Sequence, residues 1–317
     1  MVFRLLIMCV IFLIPATALS QQEGCTDSTA LNYNEEAVIN DGSCLYSPLS
    51  LKPQVLIKKL PKKVFETSGL IWWRNSYWTH NDSGGEHEIY RLDSLTGKIL
   101  QTVYISNAEN VDWEDIDQDD DFIYIGDFGN NLGNRTDLII YRLPKSEIAQ
   151  NGHDTVVGEK ILFQYGDQED FTIKNRSNDY DCEALLSYGD SLYLFTKNWA
   201  DQKSRIYAVP KNPGRYTAFP LDEFTVDGLI TGAGMNFHKN QLVLCGYKNY
   251  LPFIWILSDF RNNDFFGGNK RRIDFKELLA TQTEGITFTG DTTFSLSAER
   301  TKLNKAKIFR LDLQEIR

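Results

Sequence analysis

A phrase of four residues recurs five times along this chain and constrains the fold more than any other feature. It reads I-Y-R-L from Ile89, I-Y-R-L from Ile140, I-Y-A-V from Ile206, I-W-I-L from Ile254 and I-F-R-L from Ile308. A second segment precedes each copy: Y-W-T-H-N-D-S-G from Tyr77, I-Y-I-G-D-F-G-N-N from Ile123, L-Y-L-F-T-K-N from Leu192, L-V-L-C-G-Y-K-N from Leu242 and F-S-L-S-A-E-R from Phe294. Further upstream stands an opening strand: S-G-L-I-W from Ser68, E-D-I-D from Glu114, E-A-L-L-S from Glu183, A-G-M-N-F from Ala233 and E-G-I-T-F from Glu284. Short β-branched and aromatic runs between Gly, Asn and Asp are strands and tight turns. Three or four of them in a unit of about 50 residues make a propeller blade. The expected fold is all-β, a five-bladed β-propeller.

Fourth strands fit Lys98 to Ile105, Lys160 to Tyr165, Arg215 to Leu221 and Lys270 to Phe275. The fifth copy ends at Leu311 with little chain left, whereas Gln54 to Lys58 precedes the first copy and is spare. That N-terminal strand is expected to close the ring as the outer strand of the last blade. The wide interval before Glu183 holds one third-strand phrase only, so Gly166 to Tyr180 reads as an insertion and not a sixth blade.

Residues 1–20 read as a signal peptide, with Arg4, an apolar run from Leu5 to Ile14 and the small-residue exit Ala16 to Ser20. The apolar run is too short to span a bilayer, so a secreted or periplasmic protein is expected, without a membrane span. In that oxidising setting Cys25 and Cys44 are expected to pair, stapling a small module over residues 21–47. Residues 48–53, with Pro48 and Pro53, read as a linker and 54–317 as the propeller. Asp27, Asn32, Asn34, Asp41 and Ser43 in the module read either as calcium ligands or as Asx-turn residues. Cys182 and Cys245 sit in apolar strands and read either as buried thiols or as a second bridge. The net charge of −10 argues against nucleic acid and anionic membranes as partners and suits divalent cations.

In a propeller the opening ends of the inner strands ring one mouth of the central axis. Ser68, Glu114, Glu183, Ala233 and Glu284 fall there. Because alternate residues share a strand face, Glu66 and Thr231, two positions before Ser68 and Ala233, also qualify. Carboxylates crowded round one axis repel one another unless a cation neutralises them, and Glu and hydroxyl oxygens suit Ca²⁺. The same glutamates also read as partners of Lys197, Arg300 or backbone N–H groups that pin the blades. Outside them lie Asp82 and Asn81, Asp127, Lys197, Tyr247 and Lys248, and Glu299 and Arg300. Cations beside such a ring suit an anionic ligand.

Other motifs fail on spacing. Asp117 to Asp121 alternates like a calcium loop, but Phe122 and Phe128 stand where glycine and the closing glutamate belong, so it reads as an exposed turn on the opposite face. His80, His87, His153 and His238 show no zinc spacing, and no nucleophile elbow or P-loop is present.

The segment Gly24 to Tyr46, opening G-C-T-D and closing D-G-S-C-L-Y, resembles a short repeat of secreted Bacteroidetes-type proteins. The motifs N-D-S-G, N-V-D-W-E-D-I, Y-I-G-D-F-G-N-N, D-C-E-A-L and E-G-I-T-F, in this order from Glu66 to Leu311, resemble secreted bacterial propellers of largely unassigned function, loosely labelled phytase-like or esterase-like. The ring Ser, Glu, Glu, small, Glu is also similar to the five-bladed calcium-activated nucleotidase (apyrase) family. That resemblance implies a central Ca²⁺ held by Ser68, Glu114, Glu183 and Glu284, with Thr231 serving where Ala233 departs from the pattern.

Two functions follow as expectations. One is a calcium-binding scaffold whose ligand is an anionic small molecule, a glycan or a peptide. The other is a calcium-dependent hydrolase of phosphate esters or nucleotides, in which Lys197 or Arg300 stabilises charge and Asp127 or Asp82 acts as base.

Overall fold

Each repeat forms one twisted antiparallel sheet with its opening strand innermost, and five such sheets surround a common axis. This is seen in a computed structural model that describes residues 22–316; the expected signal peptide lies outside the described residues. Blade 1 comprises Thr67–Trp73, Ser76–Asn81, Glu88–Leu92 and Ile99–Ile105. Blade 2 comprises Trp113–Gln118, Phe122–Asp127, Leu138–Pro144 and Glu159–Tyr165, and blade 3 Cys182–Tyr188, Ser191–Thr196, Lys203–Pro210 and Pro220–Thr225. Blade 4 runs through Leu229–Asn236, Gln241–Lys248, Leu251–Ser258 and Asn269–Asp274. Blade 5 has Thr283–Phe288, Thr293–Ala298 and Lys307–Asp312, and its outer strand is Gln54–Ile57 from the N-terminal side, antiparallel to Lys307–Asp312.

The recurring four-residue phrase has a direct packing reason. Side chains on a strand alternate between its two faces, so the isoleucine points one way and the aromatic and final aliphatic residues the other. Ile89, Ile140, Ile206, Ile254 and Ile308 each enter the hydrophobic cluster shared with the following blade. Tyr90 with Leu92, Tyr141 with Leu143, Tyr207 with Val209, Trp255 with Leu257 and Phe309 with Leu311 enter the cluster shared with the preceding one. Each phrase thus glues both sides of its blade, at about 2 kcal/mol per buried side chain. Truncating one of these isoleucines to alanine is a cavity-forming change of about 2–5 kcal/mol. Cys182 and Cys245 are free buried thiols in different interblade clusters.

Side chains of the inner strands bridge neighbouring blades around the axis. Asp115 accepts the backbone N–H groups of Ile116 and of Leu185 in blade 3, each at 2.8 Å. Asp117 accepts that of Ser187 at 2.6 Å. Ser297 donates to the Ser68 carbonyl at 3.1 Å, and Thr231 to the Thr283 carbonyl at 2.5 Å. These side chains satisfy backbone groups on the inner edges that face no further strand.

One strand departs from the sequence expectation. Arg215 to Leu221 is not a single fourth strand: Gly214–Ala218 lies parallel to Glu159–Tyr165 at the outside of blade 2, and Pro220–Thr225 is the outer strand of blade 3. The connection from the third to the fourth strand of blade 3 thus pairs first with the outer strand of the preceding blade, as Gly152–Val156 of blade 2 also does beside Ile99–Ile105 of blade 1. The turn after Gln118 also differs from a merely solvated one. Asp117 is half-buried, its carboxyl pushed up to about 7 by burial, and Asp119 binds Lys211 and the Tyr124 hydroxyl at 2.9 and 2.8 Å.

The Cys25–Cys44 disulfide staples the N-terminal segment. Its polar side chains cap local backbone: Asp27 accepts from Thr29, Asn34 from Glu36, Asp41 from Ser43 and Asn32 from Leu45. The segment rests on blade 4, with Asn40 donating to Asn269 at 3.0 Å and Thr26 to Asp259 at 3.3 Å. Leu49–Ser50, within the stretch that reads as a linker, lies parallel to Asn269–Asp274.

Candidate metal centre

At the same level of every blade the inner strand carries one residue more than its partner. The register slips between Thr67 and Leu70, between Trp113 and Asp115, between Cys182 and Ala184, between Ile230 and Gly232, and between Thr283 and Ile286. A bulge leaves a residue out of the ladder and re-aims its side chain. The residues so displaced are Ser68, Glu114, Glu183, Thr231 and Glu284, the last two aligning Thr231 rather than Ala233 with the glutamates. All five are buried.

The acidic side chains gather chiefly on blades 1 to 3. Carboxylate oxygens of Asp82, Asp112 and Glu114 lie within 4.8 Å of one another, and so do those of Glu114, Asp181 and Glu183. Glu114 belongs to both groups. Gly129, in the F-G-N-N loop, makes this convergence possible: a Cβ there would stand 2.1 Å from Glu114 Oε1 and 2.5 Å from Asp112 Oδ2. Asp181 is oriented by the backbone N–H of Asn130 at 2.5 Å and the Trp199 indole N–H at 2.7 Å.

A cation of the chain's own occupies the other side. Lys197 donates to Glu183 Oε1 at 2.8 Å, both side chains being buried, and its ammonium lies 4.9 Å from the Trp199 ring centre and 5.4 Å from that of Tyr247. Burial disfavours its charge, but Glu183, Tyr247, Glu284 and Asp181 outweigh that and hold it well above the usual lysine range. Burial, with Glu183, Asp82, Asp112 and Asp181 around it, pushes the Glu114 carboxyl well above the usual carboxylate range. Burial likewise lifts Glu284 to about 8, and Asp112 and Glu299 to about 7, each with acidic neighbours adding to the shift. One ammonium does not neutralise this set. Converging carboxylate oxygens with a glycine backbone against them fit a hard divalent cation, and Glu114 with either acidic pair could hold it.

The other sequence candidates occupy distinct places. Ser68 donates its hydroxyl to the Glu114 backbone carbonyl, as Thr231 does to Thr283, so both tie inner strands together. Asp127 is paired with Arg135 at 3.0 Å and accepts the Asp112 N–H at 3.0 Å; its buried Oδ2 lacks a partner among the described residues. Arg300 lies over the Phe65 ring at 4.5 Å. Asp82 is half-buried at the edge of the acidic group, its carboxyl raised by burial. Asp112 and Asp181 were not singled out from sequence. Each stands two residues before a ring glutamate, the same offset that pointed to Glu66 and Thr231.

No family model matches the chain, and no curated protein matches it. Solved structures do. The exo-β-1,3-galactanase of Phanerochaete chrysosporium, as its E208A form with β-1,3-galactotriose, aligns over 87% of this chain and 63% of that chain, at 10% identity and a TM-score of 0.50. A GH43_1 enzyme from Xanthomonas citri aligns over 82% and 89%, at 11% identity and 0.44. A chain of a nidogen/laminin complex aligns over 84% and 89%, at 14% identity and 0.43. At such identities the likeness is one of fold.

Proposed function

We propose that this chain is a secreted calcium-binding β-propeller that serves as a binding or scaffold domain, with the ion at the acidic mouth of its axis. The observation that carries this reading is the convergence of Asp82, Asp112, Asp181 and Glu183 on Glu114. All donors there are hard oxygens, which favours calcium over zinc or copper. The scaffold role is supported by how the charged groups are spent. Lys197 is committed to Glu183 and Asp127 to Arg135, so neither is free to stabilise or deprotonate a substrate. The second reading, a calcium-dependent phosphoester hydrolase, rests on Asp82, which belongs to the acidic group yet stays half-open to solvent.

The test is a calorimetric calcium titration of the chelator-treated protein and of Glu114→Gln, with turnover assayed on a panel of phosphate esters and nucleotides. The expected result is one calcium bound by the parent protein, at least tenfold weaker binding by the variant, and no turnover. Failure of the parent to bind calcium overturns the reading. Calcium-dependent turnover that Glu114→Gln abolishes replaces it with the hydrolase.

A further inference from the structure

The far ends of the inner strands open into a groove that the acidic mouth does not involve. Two hollows of about 290 and 560 Å³ share Gln118 and Phe237 and together cross the axis from the Trp72–Trp73 side of blade 1 to Phe288 of blade 5. Phe237 stands at the tip of the first hairpin of blade 4, 62% exposed, its ring parallel to that of Tyr188 within 7° at 6.2 Å. A large aromatic at an exposed tip does nothing for the core.

The floor of the groove carries hydrogen-bonding capacity that the fold leaves unused. Ser187 is 2% exposed, and its hydroxyl has no partner among the described residues. Gln118 donates its amide to the Trp72 carbonyl at 2.8 Å, while its buried Oε1 is likewise unpartnered. A buried polar atom left without a partner costs about 1–3 kcal/mol, so two at the floor of one groove point to a ligand that completes them. The charged groups on the floor are held by the fold, Asp117 by the Ser187 N–H and the lysines by Asp119, while Asp120 and Asp291 stand exposed at the rim. Lys211 and Lys145 are both bound to Asp119, through its carboxylate and its carbonyl.

Apolar ring faces above neutral donors and acceptors, with both lysines already hydrogen-bonded to Asp119, fit a ligand that is uncharged, flat on one side and rich in hydroxyls. We propose that this groove binds a neutral saccharide, one pyranose face lying on Phe237 and its hydroxyls meeting Ser187 and Gln118. The site is independent of the calcium site at the other mouth.

The experiment titrates the full mature chain with laminarihexaose, cellohexaose and mannohexaose, with a polygalacturonate oligomer as the anionic comparator, each in calcium and in chelator. At least one neutral hexasaccharide is expected to bind equally in both buffers and to perturb tryptophan fluorescence, since Trp72 and Trp73 line the groove. Phe237→Ala should weaken that binding about tenfold or more, and Glu114→Gln should leave it unchanged. Ser187→Ala should weaken it without lowering the melting temperature, because the hydroxyl it removes bonds to nothing in the free protein. Absence of binding by all three neutral sugars overturns the proposal, as does binding that survives both groove substitutions. Binding that needs calcium and disappears in Glu114→Gln overturns it too, by placing the saccharide at the acidic mouth.

Discussion

The interior of the axial channel and its acidic mouth are one residue apart, at Asp115 and Glu114, yet they solve the burial of a carboxylate in opposite ways. Both side chains are buried, and burial pushes both carboxyls well up. Around Asp115 the opposing influence is backbone: the N–H groups of Leu185, Ile116 and Ala233, from three different blades, all draw its carboxyl down. Around Glu114 the next influences are Glu183, Asp82, Asp112 and Asp181, all of which raise it further. A buried carboxylate with converging N–H groups is a staple; one with converging carboxylates keeps its protons or takes up a cation. The bulge at Glu114 is what separates the two, because it turns adjacent residues into different surroundings.

If that contrast is right, the staple is the costlier one to remove. Asp115→Ala strands the buried N–H groups of Ile116 and Leu185 and is expected to lose about 3–5 kcal/mol in chemical denaturation, with or without calcium. A loss below about 1 kcal/mol would erase the distinction between channel and mouth. Lys197→Met comes next. It removes the one internal counter-charge of Glu183 and should cost about 3 kcal/mol in chelator, part of which added calcium restores. At the mouth, calcium at 100-fold its Kd should add about 2.7 kcal/mol to the parent protein, an increment absent from Glu114→Gln.

The pH response separates the regions further. Glu284 is lifted to about 8, and Asp112 and Glu299 to about 7, from ordinary values of 4.5, 3.8 and 4.5. Between those ordinary values and 7–8 the folded protein keeps protons that the unfolded chain has released. Their contribution therefore favours the folded state at the acid end of the window and is lost as pH rises through 7–8. Melting curves in chelator should show lower stability at pH 8 than at pH 5, and calcium, which displaces those protons, should remove most of the difference. A calcium-free protein that is more stable at pH 8 would show that the mouth is already neutralised from within.

Much of this was legible in the sequence, and the gaps have physical causes. The five I-Y-x-L phrases fixed blade number and order because each must present one residue to one neighbour and two to the other, a pattern period-2 alternation makes visible. Ring closure by Gln54–Ile57 followed from a spare strand and a missing one. Asp112 and Asp181 share the offset from a ring glutamate, but each stands just before its inner strand, and only the folded F-G-N-N loop, through Gly129 beside Asp112 and the Asn130 N–H on Asp181, brings them to the ring. Asp115 was hidden more deeply: nothing local marks a side chain whose partners are backbone groups of other blades. The split of Arg215 to Leu221 turned on a parallel pairing that hydrophobic pattern does not report.

The smallest effect tests the boundary itself. Ser68 and Thr231 occupy the same bulge as the glutamates, but their hydroxyl protons go to the carbonyls of Glu114 and Thr283 in the next blade. On that geometry they are closer to Asp115 in role than to Glu114. Ser68→Ala should then cost about 1 kcal/mol of stability, the net worth of one buried hydrogen bond, and leave calcium affinity within about twofold. A tenfold loss of calcium affinity with unchanged stability would instead move Ser68 into the coordination sphere, and the line between staple and mouth would fall one blade further round the axis.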